Sequence, residues 1–229
     1  MLTIFLDAGH GMQKKRVYKD SRSGKEVEQF VLDIGTSGYK GQYNEAENTL
    51  AIAWELEKVL TAMGHVVVMG RKTPSGGVTL EERGKMAKNS GCSLAVSIHC
   101  DAAENTNAYE MRTYYRAAFG KNSDDYAIAY SIAASAPPML KKTPPVIIGA
   151  IPKMSALPAG VAPRVFNVLR HHGDDYAAVL VECGFITHPQ VGAYLHSNPG
   201  RKECAFGIAT GIQAWFKNKI AFASPIAMV

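Results

Sequence analysis

Two short runs hold the residues best suited to chemistry: Leu6-Asp7-Ala8-Gly9-His10-Gly11 and Val96-Ser97-Ile98-His99-Cys100-Asp101. Each begins as an apolar stretch that reads as a buried strand and ends on a histidine. Ligand sites in α/β proteins form in the crevice beyond the carboxyl ends of strands. His10 and His99 can therefore converge on one metal ion. Catalytic zinc takes three protein ligands from His and carboxylates and keeps a fourth position open. Glu45 and Glu47 both lie at the start of a helical segment and compete for the third place. An acidic residue there also serves a helix simply by opposing its dipole. Glu182 follows the buried run Ala178-Val179-Leu180-Val181. A carboxylate so placed is costly unless it is paired or near a metal. It is either salt-bridged or set as a general base that takes a proton from water.

Three further residues are candidate substrate contacts: His188, in the turn before Pro189; Asp101, just past His99; and Arg83. For Arg83 two structural roles compete, covering its helix or making a buried ion pair that organises the loops. His65, His171, His172 and His196 lack convergent partners and read as surface or hydrogen-bonded residues. Cys92, Cys100, Cys183 and Cys204 form no CxxC and lie in apolar settings, as reduced core residues do. Cys100 and Cys183 follow His99 and Glu182, and strand neighbours point to opposite faces, so both thiols should face away from the site.

The elements that must position these residues alternate. Thr3–Asp7 reads as a strand, with a turn at Gly9-His10-Gly11. Residues 12–43 are polar and read as a loop or small hairpin, with Val27–Asp33 as a strand candidate. Over Glu45–Met63, Leu50, Ala53, Trp54, Leu56, Val59, Leu60 and Met63 recur at helical spacing, and Gly64 suits the position after the helix end. Val66–Met69 is a strand, and Leu80–Asn89 a helix with Leu80, Met86 and Ala87 inward. Leu94–Ile98 and Tyr109–Tyr115 are strands. Asp124–Ala136 is a helix stopped by Pro137-Pro138. Residues 137–163 should run over the surface as a lid or groove wall. Ala177–Cys183 is a strand, and Pro189–His196 and Glu203–Lys217 are helices. This alternation predicts an α/β fold with a sheet covered by helices on both faces.

The 229 residues suit one domain, here 1–219, followed by a tail, 220–229. A net charge of +5 favours anionic partners such as nucleic acid or wall polymers. No Lys/Arg tract carries interleaved aromatics, so nucleic acid is not expected. Met1–Leu6 has no basic n-region and Asp7 interrupts its apolar run, so neither a signal peptide nor a membrane span is expected.

Taken in order, the motifs resemble those of a known family. They are Leu6–Gly11, Glu45 with Asn48 and Leu50, Leu80-x-x-Arg83, Ser97–Ala102 and Val181-Glu182-Cys183-Gly184-Phe185-Ile186. The set is similar to the zinc-dependent N-acetylmuramoyl-L-alanine amidases of the amidase-3 type, over about residues 3–217. The resemblance implies a mixed, mainly parallel sheet between helices. It implies one zinc ion held by His10, Glu45 and His99, with Glu182 as the catalytic glutamate, and it favours Glu45 over Glu47. The implied reaction is hydrolysis of the amide between N-acetylmuramic acid and L-alanine in peptidoglycan. The sequence departs from the family pattern at Met12, Asp101 and Thr187-His188. A single catalytic domain without a leader looks like a phage endolysin, monomeric, made in the cytoplasm and released to the wall through a holin-type pore. A bacterial mother-cell lysis amidase is the nearer variant. A zinc peptidase of the peptide stem and a non-catalytic wall-binding module are the rival readings.

Overall fold

Branched and aliphatic residues gather into strands that meet in one mixed sheet. In the computed structural model, residues 1–11, 15–20, 23–30, 35–74, 78–120, 123–150 and 167–223 are described. Strands β1 (Thr3–Ala8), β4 (Val66–Met69), β5 (Leu94–Asp101) and β8 (Ala177–Phe185) run parallel. Strand β6 (Arg112–Arg116) is antiparallel to β8, and β7 (Val146–Ala150) is parallel to β6. The six-stranded order is β4-β1-β5-β8-β6-β7. Outside this sheet, β2 (Lys15–Lys19) and β3 (Glu26–Phe30) pair as an antiparallel hairpin.

Side chains alternate across the strands and so feed two cores. Leu6, Ile98 and Val181 pack with α1 (Glu45–Ala62), α3 (Asp124–Ala134), α5 (Pro189–His196) and α6 (Asn198–Ala223). Phe5, Ala95 and Leu180 face the other way, toward α2 (Leu80–Asn89) and α4 (Asn167–His171). The sheet is thus covered on both faces, as the alternation of elements predicts. Among the described residues no helix is long and apolar enough to cross a membrane.

The local signals act where the sequence places them. Asn44 caps α1 through its side chain, and Gly64, at φ 84°, takes the left-handed turn after it. Thr79 and Glu82 form a reciprocal capping box at the start of α2.

Several boundaries differ from the sequence reading. In α2 the buried residues are Arg83, Gly84 and Ala87, while Leu80 is 40% exposed. A Cβ on Gly84 would collide with the His171 carbonyl, so the glycine sets a close approach to α4 and turns Arg83 inward. Strands β5 and β8 run on to Asp101 and Phe185, so His99 lies within its strand rather than past it, while Glu182 lies inside its strand as read. The hairpin strand is Glu26–Phe30; residues 31–34 of the expected Val27–Asp33 lie outside the described residues. Strand β7 and a short 3-10 turn at Pro138–Leu140 occupy part of the segment expected to run over the surface. The rest of that lid reading, residues 151–163, lies outside the described residues. Helix α6 spans Asn198–Ala223, so residues 220–223 of the expected tail continue it.

Candidate metal centre

The site sits where β1, β5 and β8 end and α1 begins. After β1, the Gly9 amide donates to the Ile98 carbonyl at 2.9 Å, which ties the loop to β5. His10 follows at φ 58°, a left-handed conformation that costs a non-glycine residue roughly 1–3 kcal/mol. Such strain persists only where the surroundings impose it. Arg83 supplies part of that constraint. It is 2% exposed and forms an ion pair with Asp7. It also donates to the carbonyls of Ala8 at 2.8 Å, His10 at 2.6 Å and Val78 at 3.1 Å. Ser97 Oγ donates to the second oxygen of Asp7 at 2.8 Å. Burial alone would raise the Asp7 pKa; Arg83 and Ser97 outweigh it and hold the carboxyl below its usual range.

Three candidate ligands converge. Glu45 Oε1 lies 3.2 Å from His10 Nε2 and 3.1 Å from His99 Nδ1. The two imidazoles meet edge to face with centroids 4.9 Å apart. One ligand atom from each of the three residues falls within 4.8 Å of the others. Ion–ligand bonds of about 2.0–2.1 Å in a tetrahedral array place ligand atoms about 3.3 Å apart, so these separations fit zinc. Glu45 is oriented by two backbone donors, Thr36 N to Oε2 at 2.9 Å and Cys100 N to Oε1 at 3.1 Å. Burial on its own would raise its pKa. The hydrogen bonds and charge of His10 and His99 prevail and keep the carboxyl well below its ordinary value. Glu47 is exposed and outside this group.

Glu182 is 6% exposed and stands directly across from His99 in the β5–β8 register. Directly opposed residues share a sheet face. Both line a cleft of about 490 Å³ with His10, Glu45, Thr36 and Asp101. A second cleft, of about 460 Å³, adjoins on the α2 side and shares His10 and His99. Cys100 and Cys183 turn into the core on the opposite face, as strand alternation predicts, and burial pushes the Cys100 thiol well above its ordinary pKa.

The remaining candidates fall into place around this centre. Asp101 reaches the cleft, where Oδ1 accepts from the Ala102 amide at 2.8 Å. His188 is the N-cap of α5, its Nδ1 accepting from Val191 N at 3.3 Å. Arg83 pairs with Asp7 and donates to the carbonyls of Val78, Ala8 and His10, which is the buried ion-pair role. His65, His172 and His196 each meet a hydrogen-bonding group, on Gln213, Tyr176 and Asn48 respectively. Sequence reasoning missed Thr36 and Arg112. Arg112 opposes Glu182 across the β6–β8 ladder, is held by Glu110 at 2.6 Å and lies 4.5 Å above the Phe185 ring. Its place depends on a pairing between distant strands, for which the local sequence holds no signal.

Similarities to known proteins agree with this geometry. The profile of the Amidase_3 family, N-acetylmuramoyl-L-alanine amidase, matches residues 4–214. No curated protein matches the sequence. Among solved structures, the chain is similar to the CwlD amidase from Clostridioides difficile, solved in complex with the GerS lipoprotein. That match has a TM-score of 0.72 and 21% identity, over 95% of this chain and 100% of that one. It is also similar to the catalytic domain of CwlV, an N-acetylmuramoyl-L-alanine amidase from Bacillus (Paenibacillus) polymyxa var. colistinus. There the TM-score is 0.69 and the identity 24%, over 95% and 99% of the two chains. The catalytic domain of the CD27L endolysin targeting Clostridia difficile is similar at a TM-score of 0.60 and 16% identity, over 93% and 98%. At such identities the structures speak to the fold, and the profile match speaks to descent. The chain belongs to the amidase-3 family of N-acetylmuramoyl-L-alanine amidases.

Proposed function

We propose that the chain is a zinc-dependent hydrolase that cuts the amide between the lactyl group of N-acetylmuramic acid and L-alanine in peptidoglycan. The observation that carries this reading is the convergence of His10, Glu45 and His99 beside Glu182, inside the region matched by the amidase profile. Two imidazoles and one carboxylate are a donor set suited to catalytic zinc. Zinc held there would supply Lewis acidity toward the scissile carbonyl and a more acidic water.

The protein's own groups carry the proton. Glu182 accepts a proton from the attacking water, and its carboxyl then delivers one to the amine of L-alanine as the C–N bond breaks. Its neighbours in the strand ladders, His99 and Arg112, fix its place. The Thr36 and Cys100 amides orient Glu45, and His10 and His99 keep it ionised, so that the carboxylate holds both imidazoles. Asp101 and His188 are the proposed contacts to the peptide stem. The net charge of +5 suits an anionic wall polymer.

We assign the biological role to wall lysis of the endolysin type, acting as a monomer that reaches the wall through a holin-type pore. The catalytic domain of the CD27L endolysin has this fold, as do the CwlV and CwlD amidases, so the fold is compatible with the assignment without selecting it. Cytoplasmic expression should leave cells intact until the membrane is permeabilised, and lysis should then follow; lysis without permeabilisation would overturn that route.

Mass spectrometry of products from purified peptidoglycan tests the reaction. Free stem peptides that begin at L-alanine, lost on chelation and restored by zinc, are expected. Glu182→Gln should lose roughly 10²–10⁴-fold in turnover while its zinc content stays unchanged. Fragments cut within the stem would make the chain a peptidase. Pelleting with walls without any product would make it a binding module.

A further inference from the structure

Arg71 lies just past β4, at the end of the sheet where His10 emerges. It is 4% exposed, and among the described residues it forms no ion pair; its guanidinium meets only neutral oxygens. Nε donates to the Ala8 carbonyl at 2.9 Å. Nη2 donates to the carbonyls of Gly9 at 2.9 Å and Ala46 at 2.7 Å and to Thr49 Oγ1 at 3.1 Å, and Nη1 reaches Thr73 O at 3.4 Å. Burial and the nearby Arg83 lower its pKa to about 10, which still leaves it charged at neutral pH. The charge of Asp7 offsets this only in part, and no carboxylate hydrogen-bonds the guanidinium; a buried cation so placed is an expensive way to fill space, and an apolar side chain would do that more cheaply.

The acceptors explain the choice. Ala8 and Gly9 lead directly into His10, and Ala46 follows Glu45. One planar group therefore joins the loop that carries one candidate ligand to the helical turn that carries another. Thr49 Oγ1 doubles the link by donating to the Gly9 carbonyl at 2.9 Å. Arg83 grips the same loop from the α2 side and shares the Ala8 carbonyl with Arg71. His10, at φ 58°, is held between the two.

We propose that Arg71 is a positioning residue for the metal centre: it fixes His10 relative to Glu45, and without it the centre binds metal weakly although the fold persists. The inference rests on the reading of His10, Glu45 and His99 as a metal-binding group. Lysine cannot replace it, because one ammonium does not reproduce a rigid fork that spans acceptors on two segments.

The test compares the full chain with Arg71→Lys, Arg71→Met and Thr49→Val. Zinc affinity is measured by competition with a chromophoric chelator, ligand geometry by the visible spectrum of the cobalt-loaded protein, and folding by thermal melting of the metal-free protein. Both Arg71 variants should lose about 10–100-fold in zinc affinity, as loss of outer-sphere support does elsewhere. Their cobalt spectra should change, while metal-free melting stays near that of the parent. Thr49→Val should lose less, in the same direction, and it carries the test if Arg71→Met does not fold. Zinc affinity and cobalt spectra indistinguishable from the parent would overturn the proposal. So would a loss of affinity matched by an equal loss of metal-free stability. A parent chain that binds no zinc would overturn the metal reading itself, and the role of Arg71 with it.

Discussion

The ring of His99 reaches Glu45 across the place where residue 9 would carry a side chain. A Cβ there would lie 2.6 Å from His99 Nε2 and 2.7 Å from Nδ1. Gly9→Ala should therefore turn the ring away and weaken zinc binding about tenfold or more, measured by chelator competition. A second residue gives the fold a pH dependence. Burial lowers the pKa of His172 to about 4 from an ordinary 6.5. As pH falls between these values the unfolded chain takes up a proton that the folded chain refuses, so stability drops. The full loss is about 3 kcal/mol. Denaturant melts between pH 7 and 4 should show it, and His172→Phe should flatten the curve over that range. His10, His99 and Glu182 were legible in the sequence because each ends or interrupts a buried apolar run. Glu45 was legible only as one of two acidic residues at a helix start until the family resemblance chose it. Thr36, Arg71 and Arg112 were not legible, because their partners are backbone groups or strands that come close only after folding.

Helices and strands were readable as types and less so in their extent. Periodicity placed α1, α2, α3 and α5 and the central strands, since apolar spacing and caps act locally. It stopped β5 and β8 short, because β5 continues through the polar His99 and Asp101 and β8 through Gly184, at φ 129°, which reads locally as a turn. It missed β7, whose partner β6 lies some thirty residues earlier, and on the buried face of α2 it placed Met86 and Ala87 correctly but also Leu80, which is exposed, and not Arg83 and Gly84. That face is set by contact of Gly84 with α4, a tertiary fact. Helix α2 holds Arg83 in place, so its start matters to the site. Thr79→Ala removes one side of the capping box and should cost about 1 kcal/mol, seen as a melting temperature about 2–4 °C lower.

At the scale of the molecule, the candidate ligands come from three separate elements of one sheet and its flank, so metal binding and folding are linked. Zinc at a hundred times its Kd should add about 2.7 kcal/mol, a rise of roughly 5–10 °C in melting temperature that a chelator reverses. No rise would count against a site that exists only in the folded chain. The strand order bears as well on how the protein is made. A ribosome delivers β6 and β7 before β8, yet β8 lies between β5 and β6. Until Phe185 has left the exit tunnel, β5 keeps an open edge and the β6–β7 pair has nothing to join. An interrupted chain already carries His10, Glu45 and His99 but lacks Glu182, the proposed proton acceptor. On that proposal, synthesis aborted before β8 yields an inert fragment with bare strand edges, prone to aggregation and open to proteases, and catalytic competence arrives only once β8 has been made.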